Sequence, residues 1–230
     1  MASRKPSIVF AHGLWADGSC FRKLIPTLQR EGHEVISAQN TLDSLEGEVD
    51  AVHRALERVS TPAILVGHSW GGFVISAAGN HNKVAGLVYL AALSPEGGES
   101  ARDQIGKFAL PEVFSHVDEE NGRIWIARDG MHYFCGDLSH EDQQLLWATQ
   151  GAPRAEMLTS TIDNPAWKSK PTWYLLTTED QALPPALQRF VSQRMGATTV
   201  EVNSSHVPML SQPDVVLDLI RKAADAVATA

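Results

Sequence analysis

The stretch Gly67-His68-Ser69-Trp70-Gly71-Gly72 lies between two apolar runs, Ala63-Ile64-Leu65-Val66 before it and Phe73-Val74-Ile75 after it. The first run is short and rich in branched residues, as a buried strand is, and the second continues into a helical pattern. A serine held in a sharp strand-to-helix turn stands clear of its own backbone. Such a turn presses together the residues two before and two after the serine, so both must be small. Gly67 and Gly71 meet that need. The Trp70 amide then falls at the start of the helix, where it can donate to an oxygen gaining negative charge. The glycine-serine-glycine spacing is weak by itself. The strand before it and the helix after it make Ser69 a candidate nucleophile.

Outward from this turn the same alternation continues. Strands are predicted at Ile8–Ala11, Glu34–Ala38, Ala63–Val66, Val84–Leu90, Thr172–Leu176 and Thr198–Val202. Their continuous apolar character suits a parallel sheet covered on both faces. Leu45, Val49, Val52, Leu56 and Val59 form one helical stripe, with Asp43 and Glu46 at capping-box spacing near its start. Further helices are predicted to begin at Pro184-Pro185 and around Pro213. The order is β-α-β-α, which makes the fold class α/β, a mostly parallel sheet of about six strands with helices on both faces. Residues 94–167 break the rhythm and are too long for an ordinary loop. They are expected to form a mostly helical cap inserted into a single domain spanning 1–230.

A serine nucleophile needs a base, and the base needs an orienting acid. His206 follows the last predicted strand, and Asp180 follows the fifth, so both reach the sheet edge that carries Ser69. Glu179 is the competing acid. His12 and Gly13 follow the first strand at the same edge, where the Leu14 amide can supply a second oxyanion donor. His12 and His68 read as structural. Trp15, Trp125, Phe134 and Trp147, with Gly13, are candidates for the substrate pocket.

Composition excludes several classes. The chain has 230 residues, 43% of them hydrophobic, and 19 basic against 27 acidic residues for a net charge of −8. No basic run stands out, so neither nucleic acid nor an anionic membrane is an expected partner. Met1–Pro6 carries charge but precedes no long apolar segment, which reads as a cytoplasmic protein without a leader. Cys20 and Cys135 are the only cysteines, and two isolated thiols fit a reducing compartment. No histidine pair has metal-ligand spacing, and no glycine-rich nucleotide loop is present, so neither metal nor cofactor is expected.

Together, His12-Gly13-Leu14-Trp15-Ala16-Asp17-Gly18-Ser19, Gly67–Gly72, Tyr89-Leu90-Ala91-Ala92 and Ser205-His206-Val207 resemble the α/β-hydrolase superfamily. Within it, the chain resembles the small cap-bearing branch that holds plant methyl-ester esterases, hydroxynitrile lyases and bacterial α/β-fold hydrolases. The order Ser69, Asp180, His206 is the order of that architecture. The resemblance implies a serine hydrolase acting on a small or medium carboxylic ester or lactone through an acyl-enzyme. Two other readings share the scaffold: a non-hydrolytic enzyme of hydroxynitrile lyase type, and a catalytically silent small-molecule binding protein.

The lyases of this branch use a threonine after the first-strand histidine and a lysine after the catalytic histidine. Here those positions hold Gly13 and Val207, which neither donate a side-chain hydrogen bond nor carry charge. A cyanide leaving beside Val207 would lack a partner. The protein should therefore hydrolyse p-nitrophenyl esters and release negligible cyanide from mandelonitrile. Robust cyanide release without esterase activity would contradict the hydrolase reading.

Overall fold

A computed structural model of the chain describes residues 5–228. Residues 1–4 of the charged N-terminal stretch lie outside the described residues, so the reading based on them does too. Six strands form one parallel sheet: β1 (Ser7–Ala11), β2 (Val35–Ala38), β3 (Ala63–His68), β4 (Val84–Leu90), β7 (Thr172–Thr177) and β8 (Thr198–Val202). A separate antiparallel pair, β5 (Val117–Glu120) and β6 (Arg123–Ile126), stands apart from it. The order across the large sheet is β2-β1-β3-β4-β7-β8. The connection after β1 runs to one side and the connection after β3 to the other. That reversal opens a crevice beyond the carboxyl ends of β1 and β3, the place where open α/β sheets bind ligands.

The central strands β1, β3 and β7 are buried along their whole length, which is why they read as unbroken apolar runs. The helix Leu45–Glu57 begins one residue beyond the predicted cap. Ser44 is its N-cap and accepts from the Gly47 amide at 3.1 Å, while Asp43 instead pairs with Arg123. The helices Pro185–Arg194 and Pro213–Ala228 lie where the prolines place them.

Between β4 and β7 lie the helices Ala101–Ile105, Met131–Cys135 and His140–Thr149, with several 3-10 turns. The ends of this stretch are stitched together: Trp167 Nε1 donates to Pro95 O at 2.8 Å, and the Gly98 amide to Ile162 O at 2.8 Å. The β5–β6 hairpin inside it departs from the all-helical expectation. Val117-Asp118-Glu119-Glu120 is largely exposed and lacks apolar alternation, so periodicity hides it. Its turn is Asn121-Gly122, both at positive φ, a pair that favours a two-residue hairpin turn.

One contact ties β7 to the chain beyond β4. Tyr174 is fully buried, and its hydroxyl accepts from the Ala92 amide at 2.9 Å and donates to the Ala92 carbonyl at 2.7 Å. Tyr174→Phe leaves both backbone groups buried without a partner, at a cost of about 2–4 kcal/mol. Urea unfolding should show that loss. A change below about 0.5 kcal/mol would mean that water or a shifted backbone replaces the hydroxyl.

Candidate active site

Ser69 stands at the N-cap of the helix Trp70–Ala78 with φ 54° and ψ −121°. An L-residue adopts that conformation at a cost of about 1–3 kcal/mol and keeps it only where its surroundings impose it. Here the Ser69 amide donates to Leu90 O at 3.1 Å, and its carbonyl accepts from the amides of Gly72 at 3.0 Å and Leu93 at 3.1 Å. The turn is tight enough that a Cβ on Gly67 would lie 2.5 Å from the Gly71 carbonyl oxygen. Gly13 approaches from the β1 side, where a Cβ would lie 2.7 Å from Ser69 Cβ. Its lack of a side chain therefore serves close approach of the loop and leaves no spare room.

Ser69 Oγ–H donates to His206 Nε2 at 2.8 Å, and His206 Nδ1–H donates to Asp180 Oδ2 at 2.7 Å. Asp180 is buried, and its carboxyl meets five donors. Oδ1 accepts from the Ala182 and Leu183 amides at 2.8 Å each. Oδ2 accepts from Thr177 Oγ1 and Gln188 Nε2 at 2.9 Å each, besides His206. A group so surrounded is acceptor-only, which keeps the ring proton on Nδ1 and turns the Nε2 lone pair to Ser69. Glu179, the competing acid, points to solvent and has no such contact with His206. Gln188 and Thr177 escape the sequence reading, since nothing in their spacing marks them as partners of Asp180.

Three other polar residues organise the loops. His68 Nε2 donates to the backbone carbonyl of His206 at 2.7 Å, and complete burial holds its ring well below the usual histidine range. His12 Nε2 accepts from the Asn40 amide at 3.1 Å, so its Nδ1–H donates to Gly13 O at 2.9 Å. Burial lowers its pKa as well. Both histidines are thus neutral supports. Glu48 is fully buried and accepts from Trp70 Nε1 at 2.7 Å. Burial pushes its carboxyl up to about 7.

Of the pocket candidates, Phe134 packs edge-on to His206 with centroids 5.2 Å apart, and Trp15 meets Phe134 at 6.3 Å. The structure does not bring Trp125 and Trp147 to them. Those two line a separate cavity of about 440 Å³ that includes Asp118 and Arg128 and no part of the Ser69–His206–Asp180 chain. The reason is strand alternation: Ile124 and Ile126 turn inward from β6, so Trp125 faces the other way. The guanidinium of Arg128 covers Trp147 at 4.1 Å from its ring centre. Cys20 and Cys135 are buried free thiols, and burial raises both, which disfavours the reactive thiolate. Among the described residues no three His, Cys, Asp or Glu side chains gather as a metal-holding group, and no helix is long and apolar enough to cross a membrane.

A family model described as "Alpha/beta hydrolase family" matches residues 8–219. The chain is 26% identical to an alpha/beta hydrolase, nvfD, of Aspergillus novofumigatus, over 96% of this chain and 97% of that one. It is 26% identical to a pyrethroid hydrolase of Sphingobium wenxiniae, over 95% and 88% of the two chains. Its fold superposes on the crystal structure of polyneuridine aldehyde esterase with a TM-score of 0.82 at 18% identity, covering 95% and 99% of the two.

The raised Glu48 gives a measurable linkage. Its folded-state pKa of about 7 lies above the ordinary value of 4.5. The contribution of the protonated form is therefore complete below about 4.5 and is lost as pH rises through about 7. The unfolding free energy of the unmutated protein minus that of Glu48→Gln should fall by about 3 kcal/mol across that window. A difference that stays flat with pH would contradict the burial account.

Proposed function

The chain belongs to the alpha/beta hydrolase family, and we propose that it is a carboxylic ester hydrolase whose nucleophile is Ser69, base His206 and orienting acid Asp180. The observation that carries this reading is the unbroken hydrogen-bond relay of 2.8 Å and 2.7 Å from Ser69 Oγ through His206 to Asp180. Ser69 Oγ attacks the carbonyl carbon of the ester while its proton passes to His206 Nε2. The positive imidazolium forms beside the Asp180 carboxylate, which stabilises it and holds its tautomer. The carbonyl oxygen becomes an oxyanion and accepts from the Trp70 and Leu14 amides. His206 then gives its proton to the leaving alkoxide, and the acyl-enzyme remains. Water, losing its proton to the same nitrogen, attacks the acyl carbon; the bond from that carbon to Ser69 Oγ then breaks, Oγ takes the proton back from His206, and the carboxylic acid leaves.

Two features support the oxyanion assignment. The Trp70 amide opens the helix that follows Ser69, and among the described residues neither it nor the Leu14 amide donates to a protein acceptor. Phe134 and Trp15 give the side of the site next to His206 an apolar wall, which suits the acyl or alcohol group of a small or medium ester or lactone. Two of the relatives it resembles carry the name hydrolase, which supports the hydrolytic reading. The stretch 94–167 is the cap of this single domain, supplying Phe134. The two unpaired buried thiols suit a cytoplasmic protein.

Ser69→Ala should abolish hydrolysis of p-nitrophenyl acetate and butyrate. Asp180→Asn should lower turnover by about 10⁴, because the histidine then favours the wrong tautomer. Glu179→Gln should change it by less than about threefold, since its carboxyl is exposed and the His206 ring pairs with Asp180 and Ser69 instead. Reversed effects of the two acid variants would contradict the assignment.

A further inference from the structure

The two proposed oxyanion donors come from separate loops, and one buried carboxylate is tied to both. Glu48 lies on the helix Leu45–Glu57 and is wholly shielded from solvent. Its Oε2 accepts from the Trp70 indole N–H at 2.7 Å and from Asn40 Nδ2 at 3.3 Å, and its Oε1 accepts from the Leu42 amide at 3.2 Å. Asn40 carries the connection to the β1 loop. Its backbone N–H donates to His12 Nε2 at 3.1 Å, and its side-chain amide donates to the His12 carbonyl at 3.3 Å. His12 Nδ1–H in turn holds the Gly13 carbonyl at 2.9 Å. That carbonyl shares a peptide plane with the Leu14 N–H. In a planar trans peptide the two point in opposite directions, so fixing one aims the other. No cis peptide occurs among the described residues.

We propose that Glu48 is a positioning residue for ester hydrolysis, aligning the Trp70 amide through the indole and the Leu14 amide through Asn40, His12 and Gly13. This rests on the reading of Ser69 as nucleophile. The chemistry calls for a carboxylate and nothing else of that shape. Every group that meets Glu48 is a donor, and a glutamine there would set its own NH₂ against one of them. Burying a carboxylate costs free energy that an apolar residue would not. That cost has a counterpart in what the carboxylate holds still, because oxyanion donors accelerate the reaction only when they are already aimed.

The test compares unmutated protein, Glu48→Gln, Trp70→Phe, the double variant and Ser69→Ala on a p-nitrophenyl ester, with active sites counted by titration with a serine-directed phosphonate. Oxyanion donors act on the transition state and not on the bound ester. Glu48→Gln should therefore lower kcat per active site by about tenfold or more, with KM within about twofold. Trp70→Phe keeps the backbone amide and deletes the indole donor, so it should show part of that loss. The double variant should lose less than the product of the two, since both remove one contact. The acid limb of kcat should also be steeper in the unmutated protein than in Glu48→Gln, because the Glu48 carboxyl, pushed upward by burial, is then one more group that must be unprotonated. The other charged or titratable groups facing Glu48 are Asp43, which adds to the upward push on its carboxyl, and His12 through Asn40. Unchanged kcat per active site in Glu48→Gln, or fewer active sites at normal kcat, would overturn the proposal and leave Glu48 as a packing group. An active Ser69→Ala would refute the nucleophile itself, and the proposal with it, as a failure distinct from the first.

Discussion

The contact between Gly67 and Gly71 is the constraint on which the rest depends. With a Cβ position on one only 2.5 Å from the carbonyl oxygen of the other, the chain can reverse from β3 into a helix within a few residues. That reversal forces Ser69 to a φ of 54° and lifts its hydroxyl out of the sheet edge. The strained residue is held on both its polar backbone groups by Leu90, Gly72 and Leu93. The chain beyond β4 is therefore part of the support of Ser69, and Tyr174, gripping Ala92 through both backbone groups, anchors that support to β7. Strain of this kind survives where several hydrogen bonds would have to break to release it.

Around the turn, two buried carboxyls meet different numbers of donors. Asp180 meets five donors, two of them backbone amides of its own loop, and keeps its place as an acceptor for His206. Glu48 meets fewer donors, and burial outweighs its hydrogen bonds, so its carboxyl is pushed up to about 7. In the proposed chemistry the first orients the base, and the second braces the loops on the other side of the serine. His12 and His68 complete the frame as neutral rings, each spending one nitrogen on a backbone carbonyl next to a group in the proposed chemistry.

Much of this was legible in the sequence because it is written in local terms. Each sheet strand is a short apolar run, and each of Ser69, Asp180 and His206 follows a strand end. Chain order alone therefore brings them to one edge, and the relay distances agree with that placement. Position after the strand favours Asp180 over Glu179, and one residue of phase buries the first and exposes the second. What stayed hidden is non-local. Glu48 reads as an ordinary polar position on an amphipathic helix until Trp70, 22 residues on, turns its indole back to it. Trp125 and Trp147 read as pocket residues because aromatic character carries no direction, and the β6 pleat turns Trp125 away. The hairpin had its signal in Asn121-Gly122, masked by the acidic strand before it.

The central claim is that the strained turn makes Ser69 the nucleophile. Treating the unmutated protein with a fluorophosphonate and mapping the adduct by peptide mass spectrometry tests it most directly. The account predicts a single modified residue, Ser69. An adduct on Ser19, Ser204 or another serine, with Ser69 unmodified, would contradict it.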